Sequence, residues 1–298
     1  MNDEGVLDPW VAAWLEANPM NFEPAEHLEL ARMNIELPVS RELARVTDEV
    51  AAGVPVRIYE GEGRPTGLVV YFHGGGWCVG SVALMDNVAR ELAHASGAVV
   101  VSVEYRLAPE HPYPAGLDDC VAVTRWAAAN SSRFDVAPTK VVVAGESAGG
   151  NLAAVVALRL RDDHDVALAG QVLIYPSVDG GGSRYPSRDE FIGLVVSKTS
   201  SDWYWASYTS GRDLAADAFV APLRAESLAG LPPALVILGG CDFLRDEGRA
   251  YATRLRGSGV EAEDVCYPGQ PHGFVNFGFP AATDAFERIG RWLRSRFE

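Results

Sequence analysis

Long apolar runs are missing from this chain of 298 residues: none approaches the roughly eighteen consecutive apolar positions of a membrane-crossing helix. Positive charge is scarce as well, with 25 lysines and arginines against 40 aspartates and glutamates, a net charge of −15. So acidic a surface repels polyanions, which disfavours a nucleic-acid partner and fits ordinary solubility. The opening residues Met1-Asn2-Asp3-Glu4-Gly5 have neither the basic stretch nor the apolar run of a secretory signal. Cysteine is limited to Cys78, Cys120, Cys241 and Cys266, scattered without the paired spacing of a disulfide framework. Reduced thiols in a cytoplasmic protein are therefore expected. The sequon Asn130-Ser131-Ser132 carries no weight without a secretion signal. Internal repeats, low-complexity tracts and clear linkers are also lacking, so a single domain over 1–298 is expected.

What the chain does have is a large apolar fraction, 48% of residues, enough for a substantial core. Short β-branched runs recur at 54–59, 68–72, 98–104, 140–144, 171–175, 234–238 and 261–267. Helical patterns fall between or after them, at 86–95, 117–129, 151–161, 245–255 and 282–296. The central runs are apolar without alternation, which predicts strands buried on both faces and hence a mostly parallel sheet flanked by helices. Two segments break the pattern. Residues 1 to about 45 read as helices, with Trp10, Val11, Trp14 and Leu15 on one face and Pro24 placed to open a second helix. Residues of about 183–215 start with turns and continue into Phe191 to Val196 and the aromatic cluster Trp203, Tyr204, Trp205 and Tyr208. Together these segments are expected to form a helical cap over the strand ends. The aromatics have two readings, pocket lining or packing between cap and core.

The chemistry is carried by two motifs, each at the end of a predicted strand. Gly145-Glu146-Ser147-Ala148-Gly149 follows the run at 140–144 and precedes a helix, the context of a nucleophile elbow. There the chain reverses so tightly that only small residues fit two positions either side of the serine. Some seventy residues earlier, His73-Gly74-Gly75-Gly76-Trp77 ends the run at 68–72, and glycines there let backbone N–H groups approach a developing negative charge. A serine hydroxyl needs a base, and the base needs a carboxylate to fix its tautomer. In α/β-hydrolase topology the order is serine, acid, histidine. Only His164 and His272 follow Ser147, and His164 lies in the charged corner Arg161-Asp162-Asp163-His164-Asp165, ahead of the candidate acids. His272, in a loop after the last strand, is the remaining choice. For the acid, Asp242 at the end of the 234–238 strand is favoured over Asp246 and Glu247, which read as charges at a helix N-terminus, and over Asp264 in mid-strand. Ser197-Lys198-Thr199 lacks the glycine and the preceding strand of a phosphate loop. Trp77, Tyr105 and Arg106 read as structural, and His73 as shaping its loop through hydrogen bonds.

With these blocks in view, the chain resembles the hormone-sensitive-lipase-like carboxylesterases of the α/β-hydrolase superfamily, and the resemblance spans nearly its whole length. Further blocks carry it: Tyr105-Arg106-Leu107-Ala108-Pro109-Glu110-His111-Pro112, Asp242-Phe243-Leu244-Arg245-Asp246-Glu247-Gly248 and Pro271-His272-Gly273-Phe274. The resemblance implies an α/β-hydrolase fold with a cap, a triad of Ser147, Asp242 and His272, and oxyanion donors at Gly75, Gly76 and Ala148. His73, Gly74, Gly145 and Gly149 would support those motifs. It implies hydrolysis of short- to medium-chain esters through an acyl-enzyme, with no metal or organic cofactor, in a monomer or homodimer. An amidase or formamidase, a lactonase, a small-molecule deacetylase and a non-catalytic ligand-binding protein are the alternatives on the same fold. Two departures stand out: Glu146 where the family commonly has Asp or Thr, and Phe243 where proline usually follows the acid.

Overall fold

The computed structural model describes residues 4–19, 23–24, 26–33, 38–180 and 185–298. The portions of the expected cap at 1–3, 20–22, 25, 34–37 and 183–184 lie outside them. Among the described residues eight strands form one sheet in the order β1-β2-β4-β3-β5-β6-β7-β8. They are β1 (Arg45–Ala51), β2 (Val54–Glu60), β3 (Leu68–Phe72), β4 (Val99–Val103), β5 (Val141–Glu146), β6 (Gly170–Ile174), β7 (Ala234–Cys241) and β8 (Ala262–Pro271). The pairs β1–β2 and β2–β4 are antiparallel, and all later pairs are parallel. The helices are α1 (Pro9–Ala17), α2 (Leu28–Ala31), α3 (Asp86–Ser96), α4 (Ala115–Ala129), α5 (Ala148–Asp163), α6 (Pro186–Phe191), α7 (Lys198–Thr209), α8 (Arg245–Gly257) and α9 (Pro280–Phe297).

Every residue of β3, β4, β5 and β6 is buried, in keeping with their mostly apolar sequences. Leu68, Val70 and Phe72 belong to the core that α4, α5 and α8 help build on one face, while Val69 and Tyr71 belong to the core that α3 and α9 help build on the other. Each such side chain contributes about 1.5–3 kcal/mol on leaving water. A central parallel sheet is thus held from both sides, and the C-terminal ends of β3, β5, β7 and β8 come to one edge of it. Ligands of open α/β sheets bind at that edge.

Two details differ from the sequence reading. Strand β1 was not foreseen, because its burial pattern is mostly exposed and its sequence, Arg-Val-Thr-Asp-Glu-Val-Ala, is rich in charge. It joins β2 through Ala52-Gly53, both at positive φ, as a tight two-residue hairpin demands. Pro24 does not open a helix: α2 starts at Leu28 and runs for four residues. The Ser197-Lys198-Thr199 segment starts α7, whose Ser197 hydroxyl oxygen caps the Ser200 N–H at 2.9 Å.

Candidate active site

Ser147 stands between β5 and α5 with φ 55° and ψ −117°, a conformation that L-residues rarely adopt. The glycines around it are explained by contact. A Cβ at Gly145 would run into the Gly149 carbonyl, and one at Gly149 into the Phe72 carbonyl. Ser147 Oγ lies 2.9 Å from His272 Nε2, and His272 Nδ1 lies 2.9 Å from Asp242 Oδ2. Asp242 Oδ1 accepts the Leu244 N–H at 2.8 Å, which fixes the carboxylate. Because Nδ1 donates to a carboxylate, Nε2 is free to accept the serine proton. Asp242 is fully buried and His272 nearly so. Burial opposes the charged imidazolium of His272. The Asp242 charge and hydrogen bond, aided by Glu146 and Glu247, outweigh it and raise the pKa above its ordinary value.

The glycine loop after β3 is held from several sides. Gly75 has φ +113° and a Cβ there would strike the Val79 carbonyl, so only glycine fits. Gly74 N–H donates to Glu146 Oε1 at 2.8 Å. His73 Nδ1 donates to the Gly74 carbonyl at 2.7 Å, its ring stacks on Tyr105, and Tyr105 OH donates to the His73 carbonyl at 2.8 Å. His73 and Tyr105 thus shape the loop, while Arg106 binds Asp119 through two nitrogens. No hydrogen bond among the described residues uses the N–H of Gly75, Gly76 or Ala148. All three residues border the same pocket as Ser147 and His272.

That pocket holds about 240 Å³, small for a ligand site. Trp77, Met85, Val195, Val196, Tyr204 and Phe243 supply apolar wall, and no lysine or arginine among the described residues lines it. The aromatic cluster divides its labour. Tyr204 and Trp205 line the pocket, with the Tyr204 ring pressed on Gly76, whereas Tyr208 is buried and stacks on Trp77 at 4.4 Å. Trp77, read from sequence as structural, therefore also forms wall. Burial pushes the Cys78 thiol up to about 12 and the Cys241 thiol up to about 11, so neither offers a thiolate nearby.

The rejected candidates lie elsewhere. His164 is exposed and ends α5 in the left-handed conformation. Asp264 sits within β8 and pairs with Arg256 at 2.7 Å. Asp246 and Glu247 do occupy the first turn of α8, but they also hold α6. Asp246 accepts the Ser187 N–H at 2.9 Å, and buried Glu247 meets Arg188 at 2.6 Å. Among the described residues no group of three or more His, Cys, Asp or Glu is placed to hold a metal, and no helix is long and apolar enough to cross a membrane. Sequence reasoning missed Tyr175, 4.9 Å from the His272 ring, and Asn276, in the turn after His272. Nothing in their local sequence marks them. Met85 and Ser201 were missed likewise.

The α/β hydrolase fold matches residues 69–276 of the chain as a family. The chain belongs to the α/β hydrolases. Within them it falls in the hormone-sensitive-lipase-like branch. Carboxylesterase NlhH of Mycobacterium tuberculosis is 38% identical, covering 95% of this chain and 93% of its own. An arylesterase of Saccharolobus solfataricus is 34% identical, over 82% of this α/β hydrolase and 80% of its own length. Among solved structures, a hyperthermophilic esterase from the archaeon Pyrobaculum calidifontis superposes with a TM-score of 0.87 at 39% identity, over 97% of this chain and 98% of that one.

Proposed function

We propose that this α/β hydrolase is a serine carboxylesterase for short- to medium-chain esters, with Ser147 as nucleophile, His272 as base and Asp242 as its orienting acid. The observation that carries the reading is the unbroken relay, two contacts of 2.9 Å, opening on a small pocket with apolar walls. Ser147 Oγ attacks the ester carbonyl as its proton passes to His272 Nε2. The oxyanion that forms takes hydrogen bonds from the N–H groups of Gly75, Gly76 and Ala148. One such donor is worth about 3–4 kcal/mol where it has been removed from other enzymes. His272 then protonates the leaving alcohol, and the acyl group stays on Ser147. A water that gives its proton to His272 next attacks the acyl-enzyme, and the serine is restored.

Gly145 and Gly149 serve this chemistry by backbone shape, and His73 and Gly74 by the hydrogen bonds that hold the glycine loop. The segments of about 1–45 and about 183–215 act as the cap, a role supported by four contacts. Trp14 packs on Phe277 at 5.0 Å, Arg32 donates to the Cys78 and Ala108 carbonyls, and Tyr204 rests on Gly76. A reducing, cytoplasmic setting fits four unpaired cysteines. The test is hydrolysis of p-nitrophenyl esters from acetate to palmitate by the wild type and Ser147→Ala. Turnover that peaks at short or medium chains and vanishes in the variant is expected. Turnover that survives in Ser147→Ala would overturn the assignment.

A further inference from the structure

Glu146 has no step in the mechanism above, yet it precedes the nucleophile and is 2% exposed. A carboxylate that deep needs hydrogen-bond partners, and among the described residues it has three. Oε1 accepts the Gly74 N–H at 2.8 Å, while Oε2 accepts the Tyr175 hydroxyl and the Asn276 amide N–H, each at 3.2 Å. None of the three is a cation. Each belongs to a different loop: the glycine loop after β3, the segment after β6, and the turn after His272. The fit is close, since a Cβ at Gly74 would lie 2.6 Å from Oε1. Aspartate, one methylene shorter, would not span the three partners from the same backbone.

We propose that Glu146 is a positioning residue whose single carboxylate holds the oxyanion loop and the His272 loop in register about Ser147. This rests on the serine-hydrolase reading of the site. Gly74 adjoins Gly75 and Gly76, so releasing its N–H lets both oxyanion donors drift. A misplacement of about 1 Å in such a site costs on the order of 100-fold in rate. The charge of Glu146 also acts on its surroundings. Facing it are Tyr71 from β3, His73 from the glycine loop, Tyr105 after β4, Tyr175 after β6, and His272 with Asp242 and Glu247 behind. Burial keeps the three tyrosines protonated and His73 neutral, so near neutral pH the group that responds is His272. Removing the charge removes one of the influences that keep His272 basic.

The experiment compares wild type, Glu146→Gln, Glu146→Asp, Glu146→Ala and Asn276→Ala on p-nitrophenyl butyrate, with kcat and KM separated and kcat/KM followed against pH. Phosphonylation of Ser147 by a p-nitrophenyl alkylphosphonate, read by mass, is timed for each. Glu146→Ala is expected to lose about 100-fold in kcat and in phosphonylation rate, with KM within about threefold. Glu146→Gln loses less, but its acid limb moves to lower pH, which a merely structural role would not cause. Asn276→Ala, which removes one anchor from the far side, lowers kcat without moving the limb. Should Glu146→Ala fail to fold, Glu146→Gln and Asn276→Ala decide. If those two keep wild-type kcat, phosphonylation rate and pH limb, the proposal is wrong. A wild type that is phosphonylated at Ser147 yet turns over no ester would sink the esterase reading while leaving this comparison readable. A wild type that is not phosphonylated at Ser147 would sink both.

Discussion

Asp242→Asn removes one charge from the relay and changes almost nothing in volume. Asp242 Oδ1 accepts the Leu244 N–H and Oδ2 accepts the His272 Nδ1–H. The buried Leu244 N–H must keep its acceptor, so the asparagine carbonyl takes that side and the NH₂ group faces the imidazole. Nδ1 then has to accept, the ring proton shifts to Nε2, and the face toward Ser147 becomes a donor unable to take a proton. Loss of charge compounds the effect. At a contact of 2.9 Å, and allowing for charge spread over the carboxylate and the imidazolium ring, the attraction is about 4–6 kcal/mol at an effective dielectric near 20. That corresponds to roughly 10³–10⁴ in rate. In p-nitrophenyl butyrate hydrolysis kcat should fall by that factor while KM stays within several-fold, and a thermal melt should show the variant folded. The pH profile gives a second reading. His272 must be neutral to act as base and its pKa is raised, so wild-type kcat/KM is lost as pH falls through a value above 6.5. In the variant the limb of the residual activity moves to lower pH. A loss of less than about tenfold in kcat at every pH would refute both the tautomer argument and the charge argument.

Among the described residues the pocket is lined by one carboxylate, Glu146, and by no lysine or arginine, so an anionic acyl chain meets no cation among them. The kcat/KM of p-nitrophenyl hemisuccinate should lie at least about tenfold below that of the butyrate ester, and parity would count against the wall assignment. Arg188→Met strands Glu247, fully buried on α8, and should cost about 3–5 kcal/mol in urea unfolding. Burial raises the Glu247 pKa above its unfolded value even with the arginine present. Without it the folded state holds the proton to still higher pH, so the deficit should grow as pH rises from 5 to 8. A deficit independent of pH would contradict this.

Legibility along the chain followed burial. Strands β3, β5, β6 and β7 announce themselves because both faces are covered and each carries an apolar run at its centre. The edge strand β1, charged and half-wet, carries no such mark, and its Ala-Gly turn lacks the usual Asn or Asp. Ser147 and Asp242 were picked by position at a strand end and His272 by elimination, and the structure brings all three side chains together. Tyr204 and Tyr208 defeated any choice between pocket and packing, since four residues along one helix place one ring on the cavity and the other beneath Trp77. Glu146 was noticed only as a departure from the family pattern; its three partners lie 72, 29 and 130 residues away.

By itself the sequence determined the two tight turns, the order of the serine, acid and histidine proposed to react, and the alternation that builds a parallel sheet. These are local demands, met by glycines where a Cβ would strike backbone and by unbroken apolar runs where both faces are covered. Tertiary structure alone decided the pocket walls, the anchoring of α6 by Asp246 and Glu247, and the three-way clasp on Glu146. Those contacts join residues far apart in the chain, and they exist only because the sheet order carries the ends of β3, β5, β7 and β8 to one edge.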